Sequence, residues 1–238
     1  MRFAASIAVT LLGLGCATSR LMTEPEYQDR AKVETSLFSG EQGFSSEDAV
    51  RKILTGRIEL PSKAKLALLK YEAPADDRLA VTHYGYDYWR SESYVKLQQR
   101  LLDALQSALL SSGRVSEATA LPSMLVPRHP TLSVLRQAGV RLQADLLLVY
   151  HVIGDVYYDY RFLQKDRIKA FATCEAVLLD TRTGVIPFTS VATREVLTER
   201  KDSDFDQADA STRVQQEAAL QSINAIGAEL AAFLKAVK

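Results

Sequence analysis

Two short stretches constrain the fold more than anything else in the sequence: Ala64-Lys-Leu-Ala-Leu-Leu-Lys-Tyr71 and Ala144-Asp-Leu-Leu-Leu-Val-Tyr-His-Val-Ile153. Successive side chains of a strand point to opposite faces. In the first stretch Leu66 and Leu68 face one way, while Ala67, Leu69 and Tyr71 face the other, so both faces are apolar. A strand of this kind belongs in the middle of a sheet covered on both sides.

The segments around these strands supply the cover. Ser45 to Gly56 reads as a short helix: Ser45 is a cap, Glu47 and Asp48 suit the positive first turn, and Gly56 suits the exit. Val50, Ile53 and Leu54 form its expected buried face. A long helix is predicted over 91–112, with Tyr94, Leu97, Leu101, Leu105, Ala108 and Leu109 in one stripe and Gly113 at its end. A strand (115–121), a proline-marked loop and a helix (131–138) follow. The pattern then changes to a meander, with strands near 146–161, 168–180 and 185–198 joined by Lys165-Asp166 and Thr181-Arg-Thr-Gly184. Ala219, Ile223, Ile226, Leu230, Phe233 and Val237 alternate gaps of four and three, the mark of a long amphipathic terminal helix. That stripe would permit a coiled coil, but packing on the chain's own sheet is the expectation. The order gives an α/β fold: a mixed sheet flanked by helices in a two-to-three-layer sandwich, with a C-terminal β-meander and a long terminal helix.

The first fifteen residues stand apart. Arg2 is followed by an apolar run and then small residues, the pattern of a secretory signal. Phe3 to Gly15 is 13 residues, short of the roughly 20 that span a bilayer as a helix. The ending Leu12-Gly-Leu-Gly-Cys16 resembles the bacterial lipobox, which implies cleavage before Cys16 and lipidation of that cysteine. It departs from the usual pattern at Gly13, where Leu is expected. Three acyl chains, as the resemblance implies, would anchor durably where one chain anchors marginally. Ala17, not Asp, follows the cysteine, and by the same resemblance favours the outer membrane. The expected organisation is a signal peptide (1–15), a lipid-anchored tether (16–44) and a single α/β domain (45–238).

Charge excludes one class of partner. The whole chain has 29 basic and 29 acidic residues; without Arg2 the balance is near −1, which argues against nucleic acid as a partner. The second cysteine, Cys174, alternates in register with Ala170, Ala172, Ala176 and Leu178, and reads as a buried structural residue.

At Ala138-Gly-Val-Arg-Leu-Gln-Ala-Asp-Leu-Leu-Leu-Val-Tyr150 and Leu178-Leu-Asp-Thr-Arg-Thr-Gly-Val185 the chain resembles the curli-secretion lipoprotein family, whose relatives include lipoprotein activators of penicillin-binding proteins. The resemblance covers about residues 60–238. It implies a periplasmic α/β scaffold that contacts other proteins, sometimes as a ring, and it does not imply an enzyme. One branch inserts amphipathic hairpins to build a membrane barrel; here Tyr160 to Arg167 and Arg194 to Asp209 are too short and too charged for that. Within the motif, Asp180, Thr183 and Gly184 are chiefly a turn recipe.

The search for chemistry turns up little. His83, His129 and His151 lack metal-ligand spacing, and neither a metal nor a cofactor is expected. Ser93-Tyr-Val-Lys96 at a helix start imitates a serine acyl enzyme, with Arg182-Thr-Gly184 as a later strand motif. The only Ser-x-Asn, Ser222-Ile-Asn224, falls after that motif instead of between, so Ser93 reads as a helix opener. Two aromatic clusters remain, His83-Tyr-Gly-Tyr-Asp-Tyr-Trp89 and Val156-Tyr-Tyr-Asp-Tyr-Arg-Phe162. They serve a partner surface, sheet packing or sugar stacking, and the candidate interface is Tyr84, Tyr86, Tyr88 and Trp89. The sequence therefore leads us to expect a non-catalytic outer-membrane lipoprotein, held by lipid at Cys16, that faces the periplasm. Its expected partner is another envelope protein (a cell-wall synthase or a secretion component) or further copies of itself. The alternatives are an envelope hydrolase with an unrecognised site and a subunit of a secretion ring.

Overall fold

A computed structural model describes residues 37–38, 47–56, 59–71, 92–127, 130–160, 165–204 and 206–237. Of two compact units, Met1–Lys32 lies outside these residues and Val33–Lys238 contains them. The elements are α1 (Glu47–Thr55), β1 (Ala64–Lys70), α2 (Glu92–Ser111), β2 (Val115–Ala120), a 3-10 turn (Ser123–Leu125), α3 (Leu132–Arg141), β3 (Leu146–Asp159), β4 (Arg167–Asp180), β5 (Phe188–Glu199) and α4 (Gln207–Ala236).

The five strands form one mixed sheet in the order β2-β1-β3-β4-β5. β1 is parallel to both its neighbours, and the β3-β4-β5 meander is antiparallel. The expected α/β architecture is thus the observed one. β1 is buried on both faces, as its sequence requires. Leu66 and Leu68 enter the larger core cluster with α2 and α4, while Ala67, Leu69 and Tyr71 enter a second cluster with Leu132 and Leu135 of α3. Each fully buried Leu contributes about 1.5–3 kcal/mol.

Along α2 the stripe Leu97, Leu101, Leu105 and Leu109 is buried at every fourth residue. Gly113 ends the helix at φ +72°, a left-handed conformation that favours glycine. α4 packs on its own sheet and on α2. Its stripe Ala219, Ile223, Ile226 and Leu230 is buried against the inward column Ala170, Ala172, Cys174 and Ala176 of β4. These small side chains let the helix lie close to the sheet. Where α4 crosses α2, a Cβ on Gly227 would sit 2.9 Å from the Ala108 Cβ. Glycine is needed there for packing and not for backbone freedom.

Three expectations are corrected. The helix near residue 50 exists, but Val50, Ile53 and Leu54 are exposed, Leu54 at 80%. Amphipathic spacing says that a helix has an apolar face; tertiary contacts decide whether anything covers it. α3 runs three residues further than expected, to Arg141, and leaves through Gln143 at φ +56°. β5 starts at Phe188 and not near 185, because Pro187 has no N–H to give to a ladder.

Candidate functional site

The connections around β1 create the one crevice that topology alone points to. From β1 the chain crosses by α2 to β2 on one side, then returns by α3 to β3 on the other side. α2 and α3 lie on opposite faces. Successive crossovers on opposite faces are the setting in which α/β sheets hold crevices. Pairing of β1 with β3 ends at Lys70↔Tyr150, while β3 continues to Asp159 beside β4.

A cavity of about 250 Å³ occupies this place. Its walls are the first turns of α2 and the first half of α4; its floor is β3 from Val152 to Gly154 with Ala172 of β4. The polar groups on its lining are Lys70, the last residue of β1, then Tyr94 and Gln98 of α2 and Gln215 and Gln216 of α4. Among the described lining residues there is one cation and no carboxylate. Lys70 Nζ donates to the Tyr94 hydroxyl at 3.0 Å and lies 5.3 Å from that ring's centroid. Gly154 keeps the floor low: a Cβ there would come within 2.6 Å of the Phe171 carbonyl oxygen, which cannot give way. Behind the crevice Tyr71 stands edge-on to His151, with ring centroids 6.1 Å apart, and burial raises the Tyr71 phenol above its usual range.

None of the five groups was singled out by sequence reasoning as a binding residue. Tyr94 was placed in the buried stripe of α2 and is half-buried, its hydroxyl turned to Lys70. The one available signal was Lys70 itself, a charge at the end of an apolar strand. The glutamines carry no signal until the fold brings α2 and α4 together.

The residues that were singled out fall elsewhere. Cys16, Tyr84, Tyr86, Tyr88 and Trp89 lie outside the described residues, as do His83 and His129. Ser93 is the second residue of α2, and Lys96 pairs with Glu92 on the same helix at 2.5 Å. In the second aromatic cluster, Tyr157 stacks on Phe171 and Tyr158 on Tyr160, and the Tyr158 hydroxyl donates to the Gln207 carbonyl. Cys174 is fully buried, and burial pushes its thiol up to about 12. Among the described residues no group of three or more His, Cys, Asp or Glu is placed to hold a metal ion.

The two motif segments meet at the opposite end of the sheet. Asp145 accepts from the Lys65 amide at 3.0 Å, and its own amide donates to the Lys65 carbonyl. Thr181 Oγ1 lies 2.7 Å from the Ala144 carbonyl and 2.9 Å from that of Asp145. A Cβ on Gly139 would strike the Thr181 methyl at 2.6 Å. Asp180 accepts from the Arg182 amide, and Gly184 takes φ +77°. These motifs are therefore the fastening between α3, β1 and the β4–β5 turn.

A second surface has no cover among the described residues. α3 shields only the β1–β3 part of the outer sheet face, over Leu147, Val149 and Leu179. Beyond it Val191 is 66% exposed, Leu197 61% and Tyr157 48%. Cross-strand pairs make this face polar in patches: Thr173 with Thr193 at 2.9 Å and Lys169 with Glu195 at 2.9 Å.

No family model matches the chain, and no curated protein matches it. Solved structures that match the chain include lipoproteins. Lipoprotein GNA1162 from Neisseria meningitidis is 13% identical, with a TM-score of 0.31 over 59% of this chain and 88% of that one. A minor lipoprotein from Acinetobacter baumannii is 10% identical, at 0.35 over 71% and 93%. The PelC dodecamer from Paraburkholderia phytofirmans is 12% identical, at 0.37 over 77% and 96%.

Proposed function

We propose that this chain is a non-catalytic lipoprotein of the outer membrane, tethered through Cys16 and facing the periplasm, whose α/β domain docks another envelope protein. In this reading it is a scaffold of the kind its motifs resemble, serving a cell-wall synthase or a secretion component. The observation that carries docking is the outer face of β3, β4 and β5, where Val191, Leu197 and Tyr157 are exposed and no described helix lies over them. Exposed Val191, Leu197 and Tyr157 alternate there with Thr193, Lys169 and Glu195, the mixture of apolar and polar groups typical of a non-obligate interface. The exposed Val50, Ile53 and Leu54 of α1 offer a second apolar surface in the same domain. The leader and its cysteine supply the argument for anchoring.

The test is a photo-crosslinking residue at position 193, in the middle of the bare face, in the full-length protein within its native cells. The expected result is one discrete adduct to an envelope protein. Paired substitution of Val191→Glu and Leu197→Glu should remove that adduct without lowering the thermal midpoint, because both side chains already face water. An adduct that survives both substitutions, or no adduct from position 193, would refute docking through this face.

A further inference from the structure

We infer that β5 pairs with β5 of a second copy of this chain, antiparallel and about a two-fold axis at Arg194, so that two five-stranded sheets continue into one. The contact is made by the rim of the sheet and stands apart from docking through its outer face.

Three observations carry this. The first is that the two edges of the sheet are finished differently. β2 is 6 residues long, its register against β1 shifts between Ala64 and Lys65, and its Ala118 carbonyl accepts from Gln106 Nε2 at 2.8 Å. Short, irregular and covered edges resist added strands. β5 is 12 residues long, contains neither proline nor glycine, and keeps one register against β4 throughout. Among the described residues no strand lies beyond it.

The second is which main-chain groups face outward. The N–H and C=O groups of an antiparallel strand alternate between its two sides. The Arg200 amide donates to the Asp166 carbonyl at 3.0 Å, so the even-numbered residues turn towards β4. Val191, Thr193, Glu195 and Leu197 therefore turn theirs to the open rim, and their side chains are exposed too. An extended segment laid along this rim can continue the ladder.

The third is the order of side chains, which selects a second copy as the occupant. Val191 and Leu197, 66% and 61% exposed, lie equally far to either side of Arg194. Thr193 and Glu195 flank it directly. Antiparallel self-pairing about Arg194 sets each Val191 opposite Leu197 of the second copy, apolar against apolar. It sets each Thr193 opposite Glu195 of the second copy, hydroxyl against carboxylate. Such a contact is self-complementary, as a two-fold axis requires. An axis at Thr193 would put Val191 against Glu195, and an axis at Glu195 would bring two carboxylates together. Arg194 shares the side of Ala192 and Val196, which are buried under α4, yet it is exposed, so the helix leaves the axis open. Its Nη1 donates to the Thr193 carbonyl at 2.8 Å. Like charges meeting at the axis, and a guanidinium on a carbonyl that the ladder uses, make Arg194 a brake on pairing.

The experiment is disulfide trapping in the detergent-solubilised mature protein, with the wild-type chain as blank. Val191→Cys and Leu197→Cys are made separately, then oxidised alone and as a one-to-one mixture. Both side chains face water, so both variants should fold. Opposed residues of a ladder lie about 5.5 Å apart, which a disulfide spans, whereas two copies of residue 191 would lie about 20 Å apart. The mixture should therefore form disulfide dimer at least about ten-fold faster than either variant alone. Adding R194S to both should speed it several-fold. Val191→Cys mixed with Glu195→Cys, the pair of an axis at Thr193, should stay at the level of the single variants. Absence of dimer from the first mixture overturns the inference, and is the result expected if the rim serves a strand of another protein. Equal rates in every combination, faster trapping of 191 with 195, or no acceleration by R194S overturn it as well. The assay contains no envelope partner, so failure of docking through the outer face leaves its result untouched.

Discussion

Gly227→Val tests the packing on which the larger core cluster depends. A Cβ at 227 would lie 2.9 Å from the Ala108 Cβ and 3.9 Å from Leu105 Cδ2. Unstrained carbons sit about 3.5–4.0 Å apart, so α2 and α4 would have to separate by more than half an ångström. Valine adds two further methyls at the same place. Overpacking of this kind costs about 1–3 kcal/mol, and the helix-propensity gain over glycine returns only a few tenths. We expect a net loss of about 2 kcal/mol, a fall in thermal midpoint of roughly 4–8 °C for a domain of this size. Ala108→Gly removes the opposing methyl and by itself should cost about 1 kcal/mol through backbone entropy. If the clash is as local as the geometry says, the double variant should recover at least about 1 kcal/mol of the summed losses. Urea unfolding of the four proteins closes the cycle. Strict additivity would show that the helices do not meet through these two residues, and the reasoning would fail.

Acid should open the β5–α4 connection. Asp204 is almost fully buried and takes a bidentate contact from Arg213, at 2.7 Å on both oxygens. The Arg213 guanidinium is the main cause that holds its carboxyl down from 3.8 to about 2. A depressed folded-state value stabilises the fold above the unfolded value and is lost as pH falls through the folded one. The Asp204 contribution should therefore be whole above about pH 4 and fade towards pH 2. Asp204→Asn should flatten the stability profile in that window; an unchanged profile would refute the role. The Cys174 thiol, buried and pushed up to about 12, should stay unlabelled by an alkylating reagent at pH 8 and react fully in urea, because only the thiolate attacks. Fast labelling of the native protein would contradict its burial. Cys16→Ser should release the protein from the membrane fraction; mass spectrometry that finds an unmodified mature N-terminus in the wild-type chain would remove the basis for a lipid anchor.

The parts of the fold legible in the sequence were those where burial itself sets the pattern. β1 and the start of β3, Leu146 to Tyr150, announced themselves because a doubly covered strand has no polar face, and α4 because its stripe from Ala219 to Val237 alternates gaps of four and three. Cys174 was placed by its alternation with Ala170, Ala172 and Ala176. α1 shows the limit of that logic, since Val50, Ile53 and Leu54 have the spacing of a buried face and no cover. The crevice was illegible for a different reason. Lys70 and Gln215 are far apart in the chain, and a glutamine's role depends on what the fold sets opposite it. The motifs behind the family resemblance were legible as turn chemistry, which is what Asp180 and Gly184 do.

The position of α4 makes closure of the sheet a late event in folding. This helix, about 45 Å long at 1.5 Å per residue, covers the inner side of β4 and β5 and also packs on α2. Until residues 207–236 have been synthesised, the inward column of β4 offers little but alanine methyls to collapse upon, and the antiparallel strands stay half-naked. Contacts so distant in sequence form slowly. The sheet can therefore close only in a late step, whatever the route by which the chain travels; in the proposed reading, where the chain is exported, that step falls after it has crossed as an extended thread.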